Sequence, residues 1–330
     1  MEKLVDPFGR EIDYLRVSVI DSCNLKCFYC VPDSGSCSPN LSEVMSLEEI
    51  LKIIKAVAAL GIKKVRLTGG EPLVRKDIVE MVSKISDIQG ITDISLTTNG
   101  ILLRKLAPVL KKAGLNRVNI SLDSLNPENF KKITRGGALK KTQQGIQAAL
   151  KAGLTPVKIN VVAMKGINDG EIEEFVKLTL EHDLHVRFIE YMPISRSHDK
   201  QWGEYFMPLS EIQEICERIG PLVEDESYQG NGPAAYYRIL GAKGLLGFIS
   251  PVSRHFCGRC NRLRVTSDGK IKPCLFSMDE VDLLEARGDE EKLKELFIRS
   301  LELRPDPYKV DKNPDSRFNC SRREMQQIGG

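Results

Sequence analysis

Strand-like and helix-like segments alternate along the first two thirds of the chain, and this rhythm restricts the possible folds more than any other feature. The strand-like runs are LRVSVI, KKVRLTGG, TDISLTTNG, NRVNISLD, TPVKINVVAM and LHVRFIEYMP. Stretches with apolar residues near helical spacing separate them, for example SLEEILKIIKAVAALG and DGEIEEFVKLTLEHD. Because parallel neighbours need crossover connections, these βα steps predict an α/β fold with a parallel sheet.

Polar residues gather where the predicted strands end, as in TGGE, TTNG and SLD. Parallel barrels and open α/β sheets bind their ligands at the carboxyl ends of their strands. We therefore expect the functional site at this edge of the sheet. A dinucleotide-binding fold is the main competitor for such a sheet, but no G-x-G-x-x-G follows an early strand.

The alternation stops after about residue 205, which indicates a second structural unit. A helix-like segment, a glycine-rich loop, short strand-like pieces, a charged helix and a polar tail follow in that order. We place the boundary near residue 220, which divides the chain into residues 1–220 and 221–330. Residues 33–44 and 305–330 are predicted to be flexible.

Composition and cysteine content indicate the class of protein and its compartment. With 330 residues, 42% of them hydrophobic, the chain can bury a sizeable core. A net charge of +3 indicates neither a nucleic acid partner nor a membrane partner. The sequence shows no apolar signal segment and no apolar run of about 20 residues, so we expect a cytoplasmic protein. In that compartment nine cysteines favour metal or redox chemistry over disulfides.

Three of these cysteines, Cys23, Cys27 and Cys30, lie within eight residues after the first predicted strand. A structural zinc site normally takes a fourth ligand, and inert buried cysteines seldom cluster in this way. An iron–sulfur cluster held by three thiolates, with one iron left open, is the alternative that fits best. An open coordination position is typical of a site that performs chemistry.

A second group, Cys257, Cys260 and Cys274, again offers three thiols. Here zinc is a stronger alternative, because His255 could complete a Cys3His site. The neighbouring residues Arg262 and Arg264 alternate on a predicted strand, so both should point to the same side. An arginine pair beside a metal site suits a phosphate or an electron-rich ring, although a solvated basic strand is the simpler interpretation.

The first group, with an aromatic residue before its last cysteine, resembles the signature of the radical SAM superfamily, and GGEP at residues 69–72 resembles that superfamily's SAM-binding turn. The resemblance implies an incomplete (β/α)6 TIM-like barrel over roughly residues 10–220, followed by a C-terminal auxiliary iron–sulfur domain. The whole chain is similar to the GTP 3′,8-cyclases of molybdenum cofactor biosynthesis. The motifs that carry this similarity include LRVSVIDSCNLKCFYC, VRLTGGEPL, TTNG, SLDSL, VKINVV, RFIEYMP, CGRCNRLRVTSDGKIKPCL and the final IGG. The sequence departs from the family's commonest pattern at Val31 and in MPISRSH.

The resemblance implies two 4Fe-4S clusters, S-adenosyl-L-methionine as cofactor and GTP as substrate. The SAM-cleaving cluster would be held by Cys23, Cys27 and Cys30, and the substrate cluster by Cys257, Cys260 and Cys274. The SAM site would be lined by Tyr29, Gly70, Glu71, Ser121 and Met192. Around GTP the family pattern places Arg16, Arg66, Thr97, Lys158, Arg187, Arg262 and Arg264. We expect the cations Arg16, Arg66, Lys158 and Arg187 at strand ends, where they would form an electropositive cavity.

The implied reaction is a lyase-class radical cyclisation of GTP. A radical derived from SAM takes hydrogen from ribose C3′, and the sugar radical closes on C8 of guanine, giving (8S)-3′,8-cyclo-7,8-dihydroguanosine 5′-triphosphate. The implied partners are an external low-potential electron donor and cyclic pyranopterin monophosphate synthase, which would receive the product. No nucleic acid or membrane partner is expected, and a homodimer remains open.

Two other functions compete with this interpretation. One is a radical SAM enzyme that modifies a peptide, and the other is a non-enzymatic metal-binding or electron-transfer module. The arginine pair and the IGG tail argue against the first, and the open barrel and the SAM-binding turn would have no purpose in the second. Glycine lets the backbone pass where a Cβ would collide. We therefore predict that Gly329 and Gly330 enter the active-site cavity and help to position the catalytic arginines Arg262 and Arg264 or the SAM-derived radical. Of the remaining cysteines, Cys216 is predicted to lie in the core, and Cys37 and Cys320 receive no role.

Overall fold

The computed structural model describes residues 3–31, 44–192, 194, 202–228, 232–286, 288–309 and 323–329. Its centre is a parallel run of six strands in sequential order, which confirms the predicted parallel sheet. The strands are β1 (Tyr14–Ser18), β2 (Lys64–Thr68), β3 (Asp93–Thr98), β4 (Arg117–Ser121), β5 (Lys158–Ala163) and β6 (His185–Glu190). Each predicted strand-like run coincides with one of them, although β1 begins one residue before its run.

Helices connect these strands and cover the outer face of the sheet. They are α1 (Leu47–Ala59), α2 (Ile78–Ser86), α3 (Leu103–Lys112), α4 (Pro127–Thr134), α5 (Leu139–Lys151), α6 (Ile172–Glu181), α7 (Trp202–Tyr205) and α8 (Leu209–Glu217). A capping box formed by Ser46 and Glu49 starts α1. Gly61 and Gly114 follow α1 and α3 with φ of 94° and 103°, a backbone conformation that glycine adopts without strain.

Helix α4 is an element that the pattern of apolar residues did not reveal. It is only eight residues long and buries Phe130, Ile133 and Thr134. Its start is set by Asn126, whose side chain accepts hydrogen bonds from the backbone N–H groups of residues 128 and 129, and by Pro127 in the first turn. The Asn-Pro pair was the local signal for this helix. The β4–β5 crossover therefore contains two helices.

The segments after residue 220 extend the same sheet at both edges. They are β7 (Leu222–Glu224), β8 (Ala235–Ile239), β9 (Leu245–Ile249), β10 (Arg262–Val265), β11 (Lys270–Lys272), β12 (Val281–Asp282), α9 (Glu290–Glu302) and α10 (Met325–Ile328). Strand β9 pairs in parallel with β6, and β10 pairs in parallel with β1. The strand order β12-β11-β10-β1-β2-β3-β4-β5-β6-β9-β8-β7 has two free ends, so the barrel is incomplete, as predicted. The predicted boundary falls just before β7.

The core lies between the sheet and its helices. Cys216 in α8 is fully buried within it, which confirms its predicted core position. Most of the predicted flexible segment 33–44 lies outside the described residues, and so do Cys37 and Cys320. The described end of the chain is not a free tail, because Ile328 in α10 is fully buried.

No helix among the described residues is both long and apolar enough to cross a membrane.

Candidate active site

The first cysteine triad lies on the loop that follows β1 at the carboxyl end of the sheet. The backbone N–H groups of Lys26 and Phe28 donate to the carbonyls of Thr134 and Ile133 at 3.2 and 3.0 Å, which fixes the loop on the end of α4. The N–H of Cys30 donates to the carbonyl of Cys27 at 2.9 Å and closes a tight turn. Cys23, Cys27 and Cys30 are all free thiols. One short loop therefore presents all three sulfurs.

The glycines of the GGEP turn let two backbone segments approach closely. The N–H groups of Gly70 and Glu71 donate to the carbonyls of Ile20 and Ser22 at 2.7 and 2.9 Å. A Cβ on Gly69 would lie 2.1 Å from the carbonyl oxygen of Ile20, and one on Gly70 would lie 2.3 Å from that of Ser22. Only glycine fits at either position. Through these two hydrogen bonds, the turn holds the start of the cysteine loop in place.

We expect Gly70→Ala to displace the cysteine loop and to lower iron incorporation at the first triad. The added methyl group meets backbone rather than a flexible side chain, and overpacking of this kind costs about 1–3 kcal/mol. Gly170→Ala is the matched control, because nothing lies within 4 Å of a Cβ there. Thermal unfolding and iron content of both variants measure the effect. Equal iron content in the two variants would contradict this role of Gly70.

Glu71 and Asn99 brace the same loop with polar contacts. The buried carboxylate of Glu71 accepts hydrogen bonds from the N–H groups of Leu73 and Asn99 and from the hydroxyl of Thr98. Burial nevertheless raises the pKa of Glu71 to about 7. The amide of Asn99 donates to the Asn24 side chain at 2.7 Å. The TTNG and GGE motifs are therefore parts of one scaffold for the loop.

A cavity of about 110 Å³ lies beside the first triad. All three cysteines line it, together with four of the predicted SAM-site residues, Tyr29, Gly70, Glu71 and Ser121. Thr97 lines it as well, and its buried hydroxyl has no hydrogen-bond partner among the described residues. An unsatisfied buried hydroxyl facing a cavity fits a polar ligand.

A second cavity, of about 250 Å³, fills the inside of the barrel and joins the two cysteine groups. Cys30 lines it on one side, and the second triad, Cys257, Cys260 and Cys274, lines it on the other. The predicted SAM-site residue Met192 belongs to this larger cavity. Six predicted substrate residues also line it: Arg16, Arg66, Thr97, Arg187, Arg262 and Arg264. The fold thus brings together residues that are up to 258 positions apart in the sequence.

Arg16, Arg66 and Arg187 do not lie at strand ends, so that expectation was wrong for them. Arg16, Arg66 and Arg187 occupy the middle of β1, β2 and β6, and Arg264 pairs with Arg16 across the β10–β1 contact. Alternate residues of a barrel strand point inward, so a cavity lined by mid-strand residues extends below the carboxyl edge. Arg262 and Arg264 both line this cavity, which confirms that they point to the same side.

Positive charge dominates this cavity. Burial, together with the charges of Arg16 and Arg187, lowers the pKa of Arg66 to about 9. The buried Nε of Arg16 has no hydrogen-bond partner among the described residues. Asp123 is the one carboxylate among the described lining residues, and it accepts a hydrogen bond from Tyr29 at 2.5 Å. Such a surface is suited to a ligand with several negative charges.

Lys158 is placed differently from the other predicted substrate residues. It is the first residue of β5, at the amino end of the strand, and its Nζ lies 3.2 Å from the hydroxyl of Tyr236. The ring of Tyr228 lies 5.1 Å from the same nitrogen. Burial and the charge of Arg187 lower the pKa of Lys158 to about 6. Lys158 is absent from the described lining of the larger cavity, and its role stays a prediction.

The C-terminal tail reaches the arginines of the cavity. Arg264 donates a hydrogen bond to the carbonyl oxygen of Gly329 at 2.6 Å, and Met325 lines the cavity. Gly329 has φ of 81°, and a Cβ there would lie 2.4 Å from the Thr68 side chain. Only glycine fits this position without strain. Gly330 lies outside the described residues.

Neither triad, as the structure describes it, is arranged as the ligand set of one metal ion. Among the described residues, no three His, Cys, Asp or Glu side chains form a group that would hold one metal ion. Thiolates on the corners of a four-iron cluster lie farther apart than the ligands of one tetrahedral zinc ion. The Nδ1 atom of His255 lies 3.0 Å from the carbonyl oxygen of Pro251. The donor sets therefore fit clusters better than a Cys3His zinc site.

Sequence reasoning missed several residues of the site. Asp123 belongs to the SLDSL motif but was given no role, although its carboxylate accepts hydrogen bonds from the Tyr29 hydroxyl and from the N–H of Val162. Asn119 and Asn160 accept hydrogen bonds from Arg187 at 3.0 and 2.9 Å. Their alternation on β4 and β5 was a usable signal, because polar side chains on the inner face of a barrel strand must meet a ligand or a partner.

Two family models match the chain in sequence order. The Radical SAM superfamily model matches residues 17–179, which run from the end of β1 into α6 and include the first triad. The Molybdenum Cofactor Synthesis C model matches residues 184–310, which include the second triad.

Curated relatives match the chain over nearly its whole length. A GTP 3′,8-cyclase of Alkaliphilus oremlandii is 50% identical and covers 98% of this chain and 99% of its own. A GTP 3′,8-cyclase of Petrotoga mobilis is 48% identical over 99% of this chain and 100% of its own. Among solved structures, Streptococcus suis SuiB bound to S-adenosylmethionine superposes with a TM-score of 0.58 at 15% identity, over 94% of this chain and 76% of SuiB. At that identity the likeness concerns the fold alone.

Proposed function

We infer the function from the family to which this chain belongs, the GTP 3′,8-cyclases, which are radical SAM enzymes. The chain is a lyase that converts GTP to (8S)-3′,8-cyclo-7,8-dihydroguanosine 5′-triphosphate in the first step of molybdenum cofactor biosynthesis. The observation that carries this conclusion is 50% identity over 98% of the chain. The cationic cavity that joins both cysteine triads supports it independently.

The cofactors of the first site are a 4Fe-4S cluster and SAM. We assign Cys23, Cys27 and Cys30 as the cluster ligands, with SAM in the smaller cavity beside them. When bound, the cluster and SAM supply the one-electron chemistry that removes a hydrogen atom from the substrate. The chain itself contributes the braced loop, the close backbone approach at the glycine turn and the unpaired hydroxyl of Thr97.

A second 4Fe-4S cluster on Cys257, Cys260 and Cys274 is our proposal for the opposite side of the cavity. These three cysteines form no disulfide among the described residues, and they line the same cavity as Cys30 of the first triad. Three protein ligands leave one position open to the substrate, which is typical of a metal site that takes part in chemistry.

We propose that GTP lies between the two triads with its phosphates on the arginines. Arg16, Arg66, Arg187, Arg262 and Arg264 line the cavity, and guanidinium groups bind phosphate oxygens in pairs. With the phosphates and the guanine fixed at opposite ends, the ribose has little freedom to move. The chain thereby orients C3′ and C8 for the ring closure and excludes water from both.

Iron content tests the two-cluster proposal. We expect about eight irons per chain after anaerobic reconstitution, because each 4Fe-4S cluster holds four. A triple alanine variant of the second triad should keep about half of that iron for the same reason. Stoichiometric zinc bound by Cys257, Cys260 and Cys274 in an anaerobic preparation would contradict the second cluster.

The product tests the function itself. One hydrogen leaves C3′ and one returns to the purine, so the product is an isomer of GTP. Anaerobic protein with SAM and reductant should convert GTP to a nucleotide of unchanged mass and altered chromatographic mobility. The same mixture without SAM is the control, and its conversion of GTP would contradict radical SAM chemistry.

The compartment, the partners and the division of the chain belong to the same proposal. The free thiols suit the reducing cytoplasm, and the reaction requires an external low-potential electron donor. The product would pass to cyclic pyranopterin monophosphate synthase. Residues 1–220 and 221–330 would act as the SAM unit and the substrate unit. A homodimer is compatible with this scheme, and nucleic acid has no part in it.

A further inference from the structure

A buried ion network connects the N-terminal segment and the residues that follow α9 to the second cysteine triad. Asp6 lies at its centre with a fully buried side chain, and it forms ion pairs with Arg10 and Arg304. The side chains of these arginines are 6% and 2% exposed. Arg10 Nε and Arg304 Nε donate to the same Asp6 oxygen at 2.6 and 2.8 Å. Nothing in the proposed function assigns a role to these residues.

The N-terminal segment forms this centre through a tight turn. The other oxygen of Asp6 accepts hydrogen bonds from the N–H groups of Phe8 and Arg10, both at 3.0 Å. Gly9 between them has φ of 78°, which lets the chain reverse direction without strain. Asp6 thus has four donors on two oxygens, and its burial is compensated.

The terminal nitrogens of the two guanidinium groups donate hydrogen bonds to the backbone of the cysteine segments. Arg10 donates to the carbonyl of Cys257 at 3.0 Å. Arg304 donates to the carbonyl of Cys260 at 2.7 Å and to that of Pro273, which precedes Cys274, at 3.3 Å. Each of the three cysteine segments therefore has a hydrogen bond to the network.

The hydrogen bonds of the network compensate for the long separation of cysteines within the second triad. Cys260 and Cys274 are 14 positions apart, and a strand pair lies between them, so no single loop fixes their spacing. The planar fork of an arginine can bind several oxygens at fixed angles, whereas the ammonium group of a lysine has no such geometry. Arg304 also donates to the carbonyl of Arg262 at 2.6 Å, which places the start of β10 in the same frame.

We propose that Asp6, Arg10 and Arg304 are positioning residues of the second triad, which hold its three chain segments at the spacing that the second cluster requires. This inference rests on the proposed two-cluster function. The first triad lies on the loop after β1, where Thr134, Ile133, Gly70 and Glu71 brace it. The hydrogen bonds of the network go elsewhere, to the segments of the second triad, to Arg262 and to Pro305. Loss of the network should therefore affect one cluster and spare the other.

The test compares Arg304→Lys and Asp6→Asn in the full-length chain after anaerobic reconstitution. Arg304→Lys keeps the charge and removes the fork, and Asp6→Asn keeps the shape and removes the charge that pairs the guanidinium groups. In both variants we expect iron to fall about twofold, from about eight to about four per chain. SAM cleavage without GTP should persist, and the electron paramagnetic resonance signal of the second cluster should disappear.

Arg117→Lys is the matched control. Arg117 forms a similarly buried ion pair with Asp93 at the amino ends of β4 and β3, and neither residue lines a described cavity beside a triad. The control should keep both signals and its full iron content.

Two results would overturn the inference. One is full iron content with an unchanged second-cluster signal in Arg304→Lys and Asp6→Asn. The other is loss of both clusters together with SAM cleavage, which would show that the network stabilises the whole fold. A wild-type chain with only about four irons would refute the two-cluster function, and this inference with it, before any substitution is made.

Discussion

Replacing Cys27 by alanine should reduce SAM cleavage to background, whereas replacing Cys260 should preserve SAM cleavage and eliminate the cyclised nucleotide. Cys27 lies in the loop that lines the smaller cavity, where we place SAM, and the electron enters at this site. Of these two cavities, Cys260 lines only the larger one, on the side opposite Cys30. The two variants should therefore separate radical formation from its use on GTP. Chromatographic measurement of 5′-deoxyadenosine and of the product checks both.

Cys216→Ala is the control for these variants. Cys216 is fully buried in α8 within the hydrophobic core, and burial raises the pKa of its thiol to about 12. It should alter thermal stability and leave both reactions in place. Normal product from Cys260→Ala would show that the second triad is not part of the substrate site.

Deleting the final two residues should reduce cyclisation by about 100-fold and leave iron content and GTP binding nearly unchanged, because small misplacements of reacting groups have effects of this size. The deletion removes the carbonyl of Gly329, which accepts the hydrogen bond of the buried Arg264. Without it Arg264 loses its fixed position in the cavity. Product formation under saturating GTP and SAM measures the effect, and full activity would contradict a role for the tail.

A pair of glycine substitutions separates crowding from backbone strain in the tail. Gly329 and Gly241 have nearly equal φ, 81° and 82°. A Cβ on Gly329 would meet Thr68 at 2.4 Å, whereas nothing lies within 4 Å of one on Gly241. We expect Gly329→Ala to lose most cyclisation and Gly241→Ala to retain it. Similar activity in both variants would argue that the position of the tail is unimportant.

The fold was predictable where local patterns carry the information. The six strands and the neighbouring glycines marked the parallel sheet, because strand alternation and helix ends depend on nearby residues. The strand-like pieces after residue 220 gave no indication of their place in the sheet. They pair with β1 and β6 through contacts of high sequence separation, and periodicity contains no information about those partners.

The site shows the same division. The cysteine triads and the alternating arginines of β10 could be found from spacing alone. The depth of Arg16 and Arg187 in the barrel could not, because it depends on strand register. Asp6 and Arg304 are 298 positions apart, so their contact has no signature in a single sequence.

The most direct test of the account uses GTP that carries deuterium at ribose C3′. Under anaerobic conditions with SAM and reductant, we expect GTP to accelerate the release of 5′-deoxyadenosine, and we expect the released 5′-deoxyadenosine to contain the deuterium. That result would place C3′ of GTP at the point of hydrogen abstraction, between the two triads. Release of unlabelled 5′-deoxyadenosine at the same rate with and without GTP would contradict the account.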